Sequence, residues 1–189
     1  MAEANRERVL RAATHSFLAR GYGSSVDEIA RRAGVAKQTV YHHFPSKDRL
    51  FKEGARDLTM SVLVVLEGED VRVALLRFAI AYRERALGAD GIATFRALVP
   101  TVPRFKALSK AMYANTAGEL VGRLAQYLER PMKDGRLRRE DPVLAAEMLM
   151  SMLAGVDRVK RLFGVNDQRE TNERRAARIV DCFLRAYQK

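Results

Sequence analysis

The residues best able to do chemistry crowd into one short stretch: Lys37, Gln38, Thr39, Tyr41, His42 and His43 follow one another almost without interruption. Every one of these side chains carries a hydrogen-bond donor. Donors in such density suit base edges and phosphate oxygens, and Gln38 has the amide geometry that meets adenine through two bonds. Lys37, Gln38 and Thr39 are the candidates for base-edge contact, and Tyr41 and His42 for phosphate. The plainer alternative is a solvated helix whose outer face is merely polar.

The surrounding residues predict how this stretch is held. Val26, Ile29, Ala30 and Ala33 recur at helical spacing and line one face. Ser25 followed by Glu28 is a capping box at the start of that helix. Gly34 stands where the helix must stop and reverse, because glycine alone takes positive φ without cost. Lys37 to Phe44 then reads as a second short helix, with Val40 and Phe44 as its apolar stripe and the donors outside. Two short helices around a glycine-containing turn form the helix-turn-helix unit, whose second helix enters the DNA major groove. Pro45-Ser46 breaks the pattern, and Ser46 can cap a longer helix from Lys47 to about Leu66, with Leu50, Phe51, Leu58, Val62 and Leu66 on its apolar side.

The run IA-x-x-AGVAKQTVYHHF-x-SK-x-x-LF closely resembles the N-terminal DNA-binding region of TetR-family (AcrR-like) transcriptional regulators. It places Ile29, Ala30, Ala33, Gly34, Val35, Tyr41, Phe44, Lys47 and Leu50 at once and covers roughly the first third of the chain. The resemblance implies phosphate contacts at Ser25 and Lys47, each at a helix N-terminus. Two departures stand out. Ala36 occupies a position where the family usually has Ser or Thr, so the second helix lacks a side-chain cap worth about 1 kcal/mol. Gln38 stands where the family often has Gly, which points to an operator preference particular to this protein.

The 189 residues form one or two small domains with room for a proper core. The net charge of +11 fits a polyanionic partner. That excess is spread, however: residues 1–66 hold 11 Lys/Arg against 7 Asp/Glu, and residues 67–189 hold 23 against 16. A single cysteine excludes an intramolecular disulfide and suits a reducing cytoplasm. No 18-residue apolar run exists, and the charged N-terminus is unlike a signal peptide, so the expected location is cytoplasmic, with no membrane partner. Arg6, Arg8 and Arg11 lie off the apolar stripe of a first helix over 5–20; they read as ordinary surface charge or as an arm touching phosphate.

Beyond Glu67 the chain reads as longer helices rich in Leu, Ala and Met, without strand alternation. The predicted spans are 71–87, about 91–99, 104–130 (stopped by Pro131), Asp141-Pro142 to about Phe163, and 169–187. The expected architecture is all-α with about nine helices. Residues 1–50 form the helix-turn-helix DNA-binding domain and residues 51–189 a helical effector-binding and dimerisation domain. Ala145, Met148, Leu149, Met152, Leu153, Val156 and Val159 make one late helix apolar over more than one face, as do Ile179, Val180, Phe183, Leu184 and Tyr187 in the last. Such helices must be covered on both sides, either by a deep core or, as the resemblance implies, by the last two helices of a second copy.

Phe78, Tyr82, Phe95, Leu98, Phe105, Met112, Tyr113, Thr116 and Met152 supply the aromatic and flexible apolar walls of a small-molecule pocket, although such residues also make plain core. The resemblance implies an effector site in this region. The segment FRALVPTVPRFKALSKAMY is loosely similar to the corresponding part of regulators of efflux-pump and stress genes. Catalysis lacks support. His42 and His43 are adjacent and point apart on a helix, which leaves no metal site; no cofactor motif or catalytic signature is present. Cys182 in an apolar helix reads as packing. The sequence therefore indicates a DNA-binding regulator, most simply a repressor that binds a palindrome as a dimer and is released by a small apolar or amphipathic effector. An activator of the same fold and a sequence-independent structural DNA-binding protein are the alternatives.

Overall fold

The computed structural model describes residues 2–20, 23–54, 66, 68, 70–103, 106–165 and 170–188. All regular structure among them is helical. By packing, the chain divides into two units, one of residues 1–59 with 93–116 and the other of residues 60–92 with 117–189.

In the first unit, α1 (Ala2–Arg20), α2 (Val26–Ala33) and α3 (Lys37–His43) precede a helical segment over 47–54, α4. Ser46 accepts from the Arg49 amide at 3.1 Å and caps α4 as its sequence predicts. Leu58 and Val62 lie outside the described residues. Val9, Phe17, Ile29, Val40, Phe44 and Leu50 are buried together, and Phe17 meets Phe51 edge-on at 4.5 Å. Burying each such side chain contributes roughly 1.5–3 kcal/mol. Met112 joins the same cluster from α7 (Lys106–Asn115), far downstream in sequence.

The second unit contains α5 (Val71–Leu87), α8 (Ala117–Lys133), α9 (Pro142–Leu162) and α10 (Asn172–Ala186). The sequence places α5 to the residue, and the side chain of Asp70 caps it by accepting from the Val73 amide. Asp141 caps α9, with Pro142 in its first turn. Leu75, Phe78, Leu124, Leu128, Leu149 and Phe183 are closed off in the core. Between α5 and α7 lie α6 (Ala89–Leu98) and a 3-10 turn, Val99–Thr101.

One expected helix differs. The span 104–130 is divided at Thr116 into α7 and α8. Thr116 donates to the Met112 carbonyl at 2.7 Å, and Asn115 donates to the Ala111 carbonyl at 2.6 Å. These side chains compete with the backbone for carbonyls four residues back and so favour a break. Pro131, expected to end a helix, instead lies inside the last turn of α8. Cys182 is also exposed on α10 and not packed as expected, because the buried residues Val180 and Phe183 occupy the helix's inner face.

Arg83 is 5% exposed in the second unit. Its guanidinium donates to the Leu153 carbonyl, to Asp157 at 2.9 Å and to Asn172 at 2.9 Å. A cation on α5 thus ties together α9 and α10, with its charge matched by Asp157, as burial requires. Among the described residues no helix is long and apolar enough to cross a membrane.

Candidate nucleic-acid interface

The short helix α2 is held at both ends. At its start the Ser25 hydroxyl accepts from the Glu28 amide at 3.2 Å. That bond uses an oxygen lone pair and leaves the O–H free to donate outward. At its end Gly34 has φ 64°, its amide reaches the Arg31 carbonyl, and the Val35 amide reaches the Ala30 carbonyl at 3.1 Å. This is the Schellman arrangement, in which a left-handed glycine reverses the chain and satisfies the final carbonyls. The next helix, α3, therefore leaves at a defined angle.

On α3, Val40 is buried and Phe44 seals the end, while Lys37, Gln38, Tyr41 and His42 are exposed and Thr39 is half-buried. The donor face foreseen from sequence is thus turned to solvent. Ala36 begins α3 with extended backbone and no side-chain hydrogen bond, as expected. His43 is half-buried, its ring edge-on to that of His42 at 5.3 Å. Lys47, in the first turn of α4, is half-buried, and burial pushes its ammonium below the usual lysine range, with the neighbouring Asp48 opposing.

Three features of this surface escaped the sequence. Asp27 in the first turn of α2 accepts from Lys37 at 2.9 Å; that hydrogen bond and the carboxylate's charge hold the lysine above its ordinary pKa. Arg8 on α1 donates to the Ala33 carbonyl at 2.5 Å and to the Gly34 carbonyl at 3.2 Å. Arg6 pairs with Glu53 on α4 and lies over the Phe44 ring at 5.3 Å. Two arginines read as surface charge are thus braces of the helix-turn-helix. Only the basic character of α1 hinted at this, since each partner is 25 or more residues away.

The candidate pocket residues fall in different parts of the molecule. Phe78 and Tyr82 are buried in the second unit, their rings stacked at 5.8 Å, and the Tyr82 hydroxyl accepts from Arg158 at 3.3 Å. In the first unit Met112 is buried, Phe95 and Tyr113 are exposed, and Thr116 bonds to the Met112 carbonyl. Met152 lies on the outer face of α9, and Phe105 lies outside the described residues. That outer face carries Leu144, Met148, Met152, Val156, Val159 and Phe163, all exposed, the last at 82%. Its inner face, with Ala145, Leu149 and Leu153, is buried. Among the described residues no group of His, Cys, Asp and Glu stands close enough together to hold a metal ion.

Comparison with known proteins agrees with this geometry. Residues 9–53 match the family described as bacterial regulatory proteins, tetR family. Residues 73–189 match the C-terminal domain of AefR-like transcriptional repressors. The HTH-type transcriptional repressor Rv1474c of Mycobacterium tuberculosis is 25% identical over 182 residues, covering 92% of this chain and 95% of that protein. A TetR-family regulator of Mesorhizobium loti superposes with a TM-score of 0.81 at 26% identity, covering 100% of this chain and 99% of the other. The flavonoid-responsive regulator FrrA does so with a TM-score of 0.75 at 30% identity, covering 97% of both chains.

Proposed function

Because the chain belongs to the TetR family of bacterial regulatory proteins, we propose that it is a cytoplasmic, non-catalytic homodimeric repressor of this class. It reads a palindromic operator with two copies of α3 and releases it when a small apolar or amphipathic effector binds. The observation that carries this reading is the exposed donor face of α3 on a helix pair braced at both ends. Lys37, Gln38 and Thr39 meet base edges. Ser25, Tyr41, His42 and Lys47 meet phosphates, Ser25 through the O–H that its capping role leaves free. Lys37 must exchange Asp27 for DNA, and an exposed ion pair of this kind costs little to break.

The dimer forms through α9 and α10. The outer stripe of α9, a run of large apolar side chains spaced three or four apart and left in water, is the pattern a partner helix covers. Two-fold symmetry then sets two readers about one DNA turn apart, which is why the operator is a palindrome. The functional division runs at 50/51. Within the second unit Phe78 and Tyr82 are the candidates for contact with effector, whose binding shifts the dimer toward a spacing that DNA does not accept. FrrA is named as flavonoid-responsive, and the stacked rings of Phe78 and Tyr82 favour a flat aromatic effector here too.

In vitro selection from random duplex tests the reading. A palindromic consensus is expected, and Gln38→Ala should relax one base pair in each half-site by about 1–3 kcal/mol. An unchanged profile would remove Gln38 from the base-reading set. Binding that depends on salt but is indifferent to sequence would instead favour the structural DNA-binding alternative.

A further inference from the structure

We propose that the reader carries a second, sequence-independent phosphate site: the groove between α1 and the C-terminal end of α2, formed by Arg8, Arg11, His15, Arg31 and Arg32. The proposal rests on the DNA-binding reading above and extends the footprint beyond α3. The groove is open, about 500 Å³ in volume, and no acidic residue lines it.

Cations at a helix C-terminus have a simpler use, since they offset the negative end of the helix dipole. Here that need is already met. The Ala30 and Arg31 carbonyls accept backbone amides from Val35 and Gly34, and the Ala33 and Gly34 carbonyls accept from Arg8. Arg31, Arg32 and His15 make no side-chain hydrogen bond or ion pair among the described residues. In the free protein Asp27 pairs with Lys37, Glu53 pairs with Arg6 and Arg49, and Glu3 lies toward Arg6. Glu7 does approach the groove, reaching Arg11 at 3.8 Å with both side chains exposed. Arg31 and Arg32 thus share one face with Arg8 and Arg11, like charges so gathered repel one another, and an anion from outside relieves that repulsion.

The occupant is duplex DNA backbone, because of where the groove sits. In a helix-turn-helix the first helix of the pair crosses the DNA backbone. With eight residues α2 is about 12 Å long, so its two ends address different phosphates. Ser25 serves one end, and the groove, beside the glycine that turns the chain into α3, serves the other. Arginine is suited to this work, since its planar fork meets phosphate oxygens in pairs.

The test uses the full-length protein and a palindromic duplex recovered by in vitro selection, with affinity measured by fluorescence anisotropy across a KCl series. For Arg31→Ala/Arg32→Ala the slope of log K against log salt should become shallower by about 0.9 for each phosphate that is no longer neutralised. The selected consensus should not change, and Arg31→Lys/Arg32→Lys should keep most of the slope. Circular dichroism confirms that the variants fold, and Arg32→Glu, expected to weaken binding further, serves if the double variant does not. A wild-type slope in folded Arg31→Ala/Arg32→Ala overturns the groove proposal while leaving the DNA-binding reading intact. A consensus altered at a base pair overturns its sequence independence. A wild-type protein that prefers no sequence overturns the reading beneath it.

Discussion

Replacing Gly34 with alanine probes the joint on which the reader turns. The glycine has φ 64°, and a Cβ there would lie 2.6 Å from the Arg8 guanidinium nitrogen. Two costs follow. Holding an L-residue in the left-handed region costs about 1–2 kcal/mol. Moving Arg8 aside is cheap in itself, since the obstructing atom ends a flexible side chain, but it loosens two bonds to the Ala33 and Gly34 carbonyls. Those bonds are partly or fully exposed and water competes for them, so about 1 kcal/mol is a reasonable allowance for the pair, below the roughly 1.5–3 kcal/mol of a single shielded bond from a charged donor. The expected destabilisation is about 2–3 kcal/mol, a large fraction of the roughly 5–15 kcal/mol that stabilises a domain. Urea denaturation followed by circular dichroism measures it. A double-mutant cycle separates the two costs: with Arg8→Ala in the background, Gly34→Ala should cost only the backbone strain, leaving a coupling of about 1 kcal/mol. A single-variant loss below about 0.5 kcal/mol would refute the strain argument, and zero coupling would refute the role given to Arg8.

Three further changes bear on the rest of the molecule. Ala36→Ser adds the missing side-chain cap to a residue whose backbone is already extended (φ −70°, ψ 150°), and should stabilise the reader by about 1 kcal/mol, seen as a higher urea midpoint. Val156→Glu puts a charge on the outer stripe of α9 where the side chain is 69% exposed; helicity should hold while sedimentation shifts from dimer to monomer, and an unchanged dimer would place the interface elsewhere. Arg83→Met removes the buried partner shared by Asp157 and Asn172, leaving Asp157 to Arg175 at 3.6 Å, and should cost about 3 kcal/mol in thermal or urea unfolding, the low end for a broken buried pair. A loss below about 1 kcal/mol would show that the charge pair is replaceable by packing.

What the sequence determined by itself is whatever depends on near neighbours. The Ser25 and Ser46 caps, the turn at Gly34, the bare start of α3 at Ala36 and the Asp141-Pro142 opening of α9 each involve groups a few residues apart. Their geometry follows from local backbone preference, so residue type and spacing suffice. The outward donors of α3 belong here too, because burying Val40 and Phe44 leaves the opposite face no other direction. Tertiary structure decided whatever depends on which distant groups meet. Met112 packs into the reader's core from far downstream. Local side-chain bonding also overrode periodicity at Thr116, where the hydroxyl and the Asn115 amide bond backward to carbonyls and divide a helix that the apolar pattern made continuous. The choice of distant partners divides the arginines: sequence shows only identical charges, whereas folding places Arg6 over Phe44, Arg8 on the carbonyls that end α2 and Arg83 in the core of the second unit, and leaves Arg31 and Arg32 facing an open groove. An arginine's role is set by the partner it reaches, and that partner is chosen by the packing of the chain.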